Sequence, residues 1–470
     1  MAETGIKFGT DGWRAVIAEG FTFERVRQVA QAGARVLART YAGEGILIGY
    51  DNRFLSEAFA AAAAEAITAL DIPVLLAETA TPTPALSWAA LHRQAHGALM
   101  ITASHNPPQY SGIKIKGRFG GSVPASVTAA VEQELQQTHY QAPSPSQQAR
   151  IDSFDPWPDY CQQLSRHVNL EHLRQSPLRI WVDVMHGSAA GGMPRLLGDA
   201  VQELRAERDP LFGGYAPEPL PPQLQSTMQT IAAAAAPLKV GIVFDGDGDR
   251  IAAIDGQGTF LSPQILIPIL IQHLAVRRGL TGEIVKTVSG SQLFKKLATH
   301  LHLPLTETAV GFKYIAERMM STEVLLGGEE SGGIGFQNHM PERDAMLSAL
   351  FLLEAMTAEG KDLSQIYAQI QDMVGYQSVY RRLDLHLQDQ EHSSALLSCL
   401  SQQPPSQIQG REVVEHISVD GHKFLLTDGS WLMIRGSGTE PLLRLYSEAP
   451  TAAAVDALLD WAATWAQARL

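Results

Sequence analysis

Cysteine is nearly absent from this chain. Cys161 and Cys399 are the only two in 470 residues, which rules out a disulfide framework and points to a reducing compartment. Basic character is also scarce: 36 Lys and Arg stand against 49 Asp and Glu, for a net charge of -13. Nonspecific nucleic-acid binding depends on a broad basic surface, so no nucleic-acid partner is expected. Phosphorylated small molecules are not excluded, because local Arg and Lys clusters can override the overall sign. Long hydrophobic runs are missing as well. The strongest, ILIPILI at 265–271, is short and holds a proline, so no membrane span is expected. The opening MAETGIKFGTDGW lacks the basic, apolar and small-residue succession of a secretory signal. These absences together predict a soluble, cytoplasmic protein.

What is present is a large apolar fraction, 45%, enough to bury the cores of three or four domains. Strands and helices alternate from the start. ILIGYD, IPVLLAE and GALMITA read as strands, separated by SEAFAAAAAEAITALD and by a helix after TPTPA. Ser56 and Glu57 suit the helix start, and the alanines its interior. Such alternation predicts α/β domains with mostly parallel sheets, in which ligands gather at the carboxyl ends of strands. Residues 141–158, rich in Pro, Ser and Gln, read as a linker. The pattern restarts at LRIWVDVMHG and again near Ser262. From Tyr376 the texture changes to strands with a hairpin signal at Asp428-Gly429, closed by a final helix. The expected division is 1–145, 150–258 and 259–374 as α/β domains and 375–470 as a C-terminal α+β domain.

Four loops carry the chemistry. ITASHNPPQYSGIKIKG (101–117) sets Ser104 and His105 directly after an apolar run, with Lys114 and Lys116 following. A Ser/Asn turn joining two elements is the plain alternative. DGDGDR (245–250) packs Asp245, Asp247 and Asp249 at alternate positions, a repulsive arrangement unless a cation sits among them. Hard oxygens at this density suit Mg²⁺, and Arg250 adds a phosphate donor. An EF-hand is excluded, because its sixth and twelfth positions hold Arg250 and Gly256; a solvated acidic turn remains the alternative. GGEESGG (327–333) offers Glu329 and Ser331 to sugar hydroxyls, or is merely a Gly-rich connector. RGSGTEP (435–441) is either a hairpin turn or an anion nest in which Arg435, Ser437, Gly438 and Thr439, joined by Arg444, hold a phosphate. Arg14 lies in a further Gly-flanked loop, FGTDGWR, while Lys286 and Lys313 are cations near strand ends or loops. His186 reads as a structural histidine at a strand end.

Taken in order, FGTDGWR, TASHNP, DGDGDR, GGEESGG and RGSGTEP resemble the α-D-phosphohexomutase family of phosphoglucomutases and phosphomannomutases, over nearly the whole chain. The resemblance implies four domains around a central active-site cleft, three similar α/β domains and a C-terminal α+β domain. It implies that Ser104 carries the phosphoryl group, and that Asp245, Asp247, Asp249 and the serine phosphate hold Mg²⁺. Lys114 is the implied acid–base group, with Arg14 among the catalytic residues and His105 supporting; Lys116 is left as a surface or supporting charge. A lysine serving as base requires a lowered pKa. Substrate binding would fall to Arg250, Lys286, Lys313, Glu329, Ser331 and the fourth-domain loop. The implied reaction interconverts glucose 1-phosphate and glucose 6-phosphate through glucose 1,6-bisphosphate, by a monomer or weak dimer. Phosphomannomutase or bifunctional activity is the alternative within the class, and a non-catalytic sugar-phosphate-binding regulator the alternative outside it. Three motifs depart from the family pattern. Ser111 replaces a common asparagine in what reads as a turn, Gly333 replaces a histidine, and Phe312-Lys313 replaces Gly-His. The last two favour glucose phosphate.

Overall fold

A computed structural model describes residues 5–9, 11–148, 150–437 and 441–469, apart from the Gln148 side chain. The backbone forms two compact units, Met1–Gly282 with Gly311–Ile366 and Glu283–Val310 with Tyr367–Leu470.

In the first unit, one sheet has the strand order Trp13–Val16, Tyr110–Gly117, Gly97–Ile101, Ile46–Tyr50, Val74–Ala77, Ile151–Phe154. Its middle is parallel, Ile46–Tyr50 lying between Val74–Ala77 and Gly97–Ile101. Tyr110–Gly117 then runs antiparallel to Gly97–Ile101. Strands such as ILIGY and GALMI are buried at every residue, as expected where helices cover both faces. The helix Phe23–Thr40 starts at Thr22, whose side chain accepts from the Arg25 N–H. Ser56 also opens a helix, Ser56–Thr68, but makes no side-chain cap. Its hydroxyl donates to Asp51 at 2.7 Å.

Two expectations need correction here. The supposed linker at 141–158 contains the helix Pro145–Gln148 and the strand Ile151–Phe154, which extends the first sheet in parallel with Val74–Ala77. Its four residues, IDSF, carry no period-two alternation that would stand out among prolines and glutamines. Ser111 lies not in a turn but in the strand Tyr110–Gly117, where it is buried; the Asn-Pro-Pro before it hides where the strand begins.

The second sheet of this unit runs Phe260–Leu261, Ile251–Ile254, Lys239–Phe244, Arg179–Asp183, Val201–Leu204. Lys239–Phe244 feeds straight into the three aspartates and returns antiparallel as Ile251–Ile254. A third element pair, Val324–Gly328 and Ile334–Phe336, is an antiparallel hairpin whose turn is Glu329–Gly333. No helix among the described residues is long and apolar enough to cross a membrane.

The second unit holds the parallel pair Glu283–Thr287 and Leu305–Thr308. It also holds an antiparallel sheet ordered Val379–His386, Leu442–Ala449, Trp431–Gly436, His422–Leu426, Arg411–Ile417, Gln407–Ile408. Asp428-Gly429 makes the expected hairpin turn, with Gly429 at φ +82°. The α/β elements and the C-terminal α+β sheet agree with the fold class read from the sequence.

A buried carboxylate stitches this second unit together. Glu448 is fully buried and accepts from Trp431 Nε1 at 2.5 Å, from the Gln292 N–H at 2.8 Å, and from the Ser291 and Ser378 hydroxyls. Glu448→Ala would strand these donors, at an expected cost on the order of 3 kcal/mol in urea unfolding. Glu448→Gln, which keeps one acceptor oxygen, should cost less; a wild-type midpoint for the alanine variant would refute this.

Candidate active site

The site gathers at strand ends of the first unit. Ser104 follows Gly97–Ile101, is buried, and has φ +52°, a left-handed conformation uncommon for a non-glycine residue. Its Oγ donates to Asp245 Oδ2 at 2.9 Å and lies 3.3 Å from His105 Nδ1. The turn after Lys239–Phe244 thus meets the turn after Gly97–Ile101.

Asp245, Asp247 and Asp249 are all fully buried, and one carboxylate oxygen of each lies within 4.8 Å of the others. Asp245 Oδ1 accepts from the N–H groups of Asp249 and Arg250, both at 3.1 Å. Asp247 Oδ2 accepts from Thr83 Oγ1 at 2.6 Å, while the Thr83 N–H donates to the Asp247 carbonyl at 2.8 Å. Oδ1 of Asp247 and Oδ1 of Asp249 are buried without a hydrogen-bond partner. Burial, then the charges of Asp247 and Asp249, push the Asp245 carboxyl well above its ordinary range. Hard oxygens, two of them orphaned, in a cluster that repels itself, fit a divalent cation.

The cations arrive from the facing strand. Lys114 Nζ lies 2.6 Å from Asp249, 2.7 Å from Asp247 and 2.9 Å from Asp11. Burial alone would lower its pKa, but Asp11, followed by Asp247 and Asp249, raises it above the ordinary value. The lowered pKa expected of a basic lysine is therefore reversed by the carboxylates around it. Lys116 is fully buried, 2.5 Å from Glu342 and 3.7 Å from Asp11. A surface position for Lys116 is thus corrected: next to it Gly117 pairs with Gly97 in mid-sheet, and its side chain points inward to carboxylates from distant sequence. Arg14 pairs across the sheet from Gly112 and donates to the Asn106 side chain.

Arg343 was not singled out by sequence, yet it ties the site together. Nη2 lies 2.5 Å from Asp11 and 2.7 Å from Asp249, and Nη1 lies 3.9 Å from Glu329. It precedes Asp344, whose side chain caps the helix Ala345–Glu359, so its sequence reads as a helix start and nothing more. Asp11, in FGTDGWR, carries no signal of its own in the sequence beside Arg14. Burial raises its carboxyl, but Arg343, then Lys114 and Lys116, hold it well below the usual range.

Glu329 and Ser331 lie in the hairpin turn, Glu329 buried and Ser331 partly exposed. Glu329 Oε1 accepts from the Gly311 N–H at 3.1 Å. The turn joins the aspartate loop through an Arg250–Gly333 bridge and an Ile251 N–H to Gly332 carbonyl bond of 3.1 Å. A Cβ on Gly333 would fall 2.2 Å from Arg343 Cδ, so the missing side chain is what admits Arg343. Lys313 lies in the first turn of the helix Phe312–Ser321, not in a loop, and lines a small cavity with Asp11, Ser122 and Thr128. His186 is structural, its Nδ1 at 3.0 Å from the Glu207 carbonyl.

The remaining candidates belong to the second unit. Lys286 is buried, with Nζ donating to the Gly290 carbonyl at 3.0 Å and to Glu307. Arg435 and Arg444 are direct cross-strand partners, a like-charge pairing that costs stability unless an anion lies between them. Arg435 pairs with Asp420 at 3.0 Å, and the Arg444 Nε is buried without a hydrogen bond. Ser437 is buried, its carbonyl accepting from Gln390 at 2.6 Å. Gly438 and Thr439 lie outside the described residues.

Comparison with known proteins adds an independent line. Family models for phosphoglucomutase/phosphomannomutase match alpha/beta/alpha domain I over residues 5–142, domain II over 158–258, domain III over 262–373 and the C-terminal domain over 400–463. A phosphoglucomutase/phosphomannomutase of Thermococcus kodakarensis is 28% identical over 95% of each chain. A phosphoglucosamine mutase of Halorhodospira halophila is 30% identical over 98% of this chain and 97% of its own. A solved structure from Thermus thermophilus, called a phosphomannomutase, superposes with a TM-score of 0.87 at 32% identity, covering 98% of this chain and 99% of that one.

Burial pushes the Glu329 carboxyl up from 4.5 to about 7, against the pull of Arg343. Between these values the folded state keeps a proton that the unfolded state has released, so stability falls as pH rises from about 4.5 to about 7. Melting temperature against pH should carry this slope, and Glu329→Gln should flatten it. An identical slope in the variant would assign the effect elsewhere.

Proposed function

The chain belongs to the α-D-phosphohexomutase family, and we propose that the sugar phosphate it isomerises is glucose phosphate, glucose 1-phosphate and glucose 6-phosphate being interconverted. The phosphohexomutase activity, an isomerase-class phosphoryl transfer, follows from the family. The choice of sugar is our own reading.

The observation that carries it is the Gly333–Arg343 exchange. With no side chain at Gly333, the Arg343 guanidinium reaches within 3.9 Å of Glu329. Glu329 and Ser331 are the residues proposed to grip sugar hydroxyls. A guanidinium beside them accepts a neutral hexose but opposes the ammonium of a 2-amino sugar by like charge. This weighs against a glucosamine phosphate, although relatives called phosphoglucosamine mutases are similar to this chain.

In the proposed reaction the phosphoryl group leaves Ser104 Oγ for a free hydroxyl of the hexose phosphate. The new O–P bond forms as the Ser104 O–P bond breaks, and the hydroxyl proton passes to the enzyme. The bisphosphate turns over, and its other phosphoryl group returns to Ser104 with a proton back to the sugar oxygen. Mg²⁺, when held by Asp245, Asp247 and Asp249, supplies charge neutralisation for the phosphoryl oxygens. Lys114, held protonated by Asp11, Asp247 and Asp249, is proposed to give its proton to the leaving Ser104 Oγ and to recover one from the attacking hydroxyl, with Arg14 and Arg250 steadying the phosphoryl oxygens. Arg435, Ser437, Gly438, Thr439 and Arg444, together with Lys286, are proposed to hold the phosphate that stays behind. The facing pair Arg435 and Arg444 supports that assignment, and Lys313 is proposed to contact the sugar. Charge placement and positioning thus carry the catalysis.

The test supplies purified protein with Mg²⁺ and a trace of glucose 1,6-bisphosphate. The 1-phosphates of glucose, mannose and glucosamine are offered in parallel, and formation of each 6-phosphate is followed. Fastest turnover of glucose phosphate is expected. Preference for mannose or glucosamine would overturn the sugar assignment, and no turnover of any would overturn the mutase reading. Separately, Ser104→Ala should lower turnover at least about 10³-fold with an unchanged circular dichroism spectrum, as loss of a covalent carrier demands. Near-normal turnover would remove Ser104 from that position.

A further inference from the structure

We propose that Arg53 is the positioning residue that holds Ser104 in its reactive conformation, acting from behind the loop and without touching the reacting atoms. This rests on the reading of Ser104 as phosphoryl carrier. No side chain named so far explains why Ser104 keeps a φ of +52°, a conformation costing roughly 1 kcal/mol or more for a residue with a Cβ. The surroundings must therefore impose it.

Arg53 is the means. It is fully buried at the end of the strand Ile46–Tyr50, and all its guanidinium N–H groups are used. Nη2 donates to the carbonyls of Ser104 and Asn106, both at 2.6 Å. Nη1 donates to those of Pro107 at 2.8 Å and Tyr110 at 3.0 Å. Nε donates to Asp51 Oδ2 at 3.1 Å. One planar fork thus fixes four carbonyls of a single loop, and only guanidinium geometry can do this.

The other end of the same peptide is held by the same pair. The Ser104 N–H donates to Thr102 Oγ1 at 2.8 Å, and that hydroxyl donates to Asp51 Oδ2 at 2.7 Å. Asp51 is completed by Ser56 Oγ, which donates to its Oδ1 at 2.7 Å. The Phe212 ring covers the guanidinium, 5.0 Å away. Asn52, between the pair, donates to the His186 and Gly187 carbonyls at 2.9 and 3.0 Å, anchoring this splint beside the aspartate loop. Both N–H and C=O of Ser104 are therefore clamped to one buried ion pair, leaving Oγ alone to face Asp245.

Arg53→Lys keeps the charge opposite Asp51 and removes the fork. Hydrogen exchange at Ser104–Tyr110 should accelerate at least about tenfold with little change elsewhere, since local opening is governed by these bonds. Turnover number should fall about 10²-fold with KM within about threefold of wild type, on whichever hexose phosphate the wild type uses, because the hydroxyl is displaced while the substrate sites are intact. Should the lysine variant fold poorly, Asp51→Asn combined with Arg53→Gln removes the pair as neutral groups, and the same two readouts apply. Unchanged exchange in the loop would overturn the proposal. So would a lowered melting temperature with turnover retained, since that describes a merely structural arginine. If the wild type itself turns over no hexose phosphate, the mutase reading fails, and accelerated loop exchange still supports the splint while unchanged exchange sinks it.

Discussion

The site depends on one electrostatic conflict: three carboxylates at alternate positions, buried away from water, repel one another. Asp245, Asp247 and Asp249 sit at the end of a fully buried strand, where no solvent screens them. What surrounds them is arranged to answer that repulsion. Lys114 and Arg343 reach in from separate parts of the chain, and Thr83 and the loop's own N–H groups supply donors. The two unpartnered carboxylate oxygens mark where that answer stops. A divalent cation completes it with the least rearrangement, and phosphoryl transfer needs positive charge at that place.

Neutralisation and conformation are solved by different residues. Lys114 and Arg343 manage charge on the front of the loop pair, while Asp51 and Arg53 manage backbone geometry behind it. The division matters physically. A side chain that must respond to phosphate arriving and leaving cannot also be locked into five hydrogen bonds. Arg53 has no freedom left, which suits a splint, whereas Lys114 shares one ammonium among three carboxylates and can redistribute as charge moves.

The sequence was most legible where one segment carries the chemistry by itself. Repulsion among Asp245, Asp247 and Asp249 is visible in six consecutive letters, and so is the turn character of the Ser104 loop. The α/β alternation and the C-terminal hairpin at Asp428-Gly429 were readable for the same local reason. What stayed hidden depends on pairing across long separations. Lys116 reads as a surface or supporting charge, whereas Glu342, more than two hundred residues on, lies 2.5 Å away and buries it. Arg53 sits in an ordinary strand-end tripeptide, and its partners are backbone carbonyls, which leave no trace in side-chain chemistry. The strand Ile151–Phe154 was masked by its Pro- and Gln-rich neighbours.

Gly333 shows how a departure in sequence acquires meaning only with its neighbour. Read alone, a glycine in this hairpin turn removes a side chain and leaves a gap. In the structure the gap is filled: Arg343, ten positions later, passes through the space a Cβ would occupy and brings its guanidinium toward Asp11, Asp249 and Glu329. Arg343 therefore brings a positive group to the Glu329–Gly333 turn from the adjoining helix start. That group lies beside both Asp249 and Glu329, so the charge of the aspartate loop and that of the hairpin turn are balanced by one residue. A side chain at position 333 would displace Arg343, and with it the charge facing Asp11 and Asp249, so the two positions are sterically coupled.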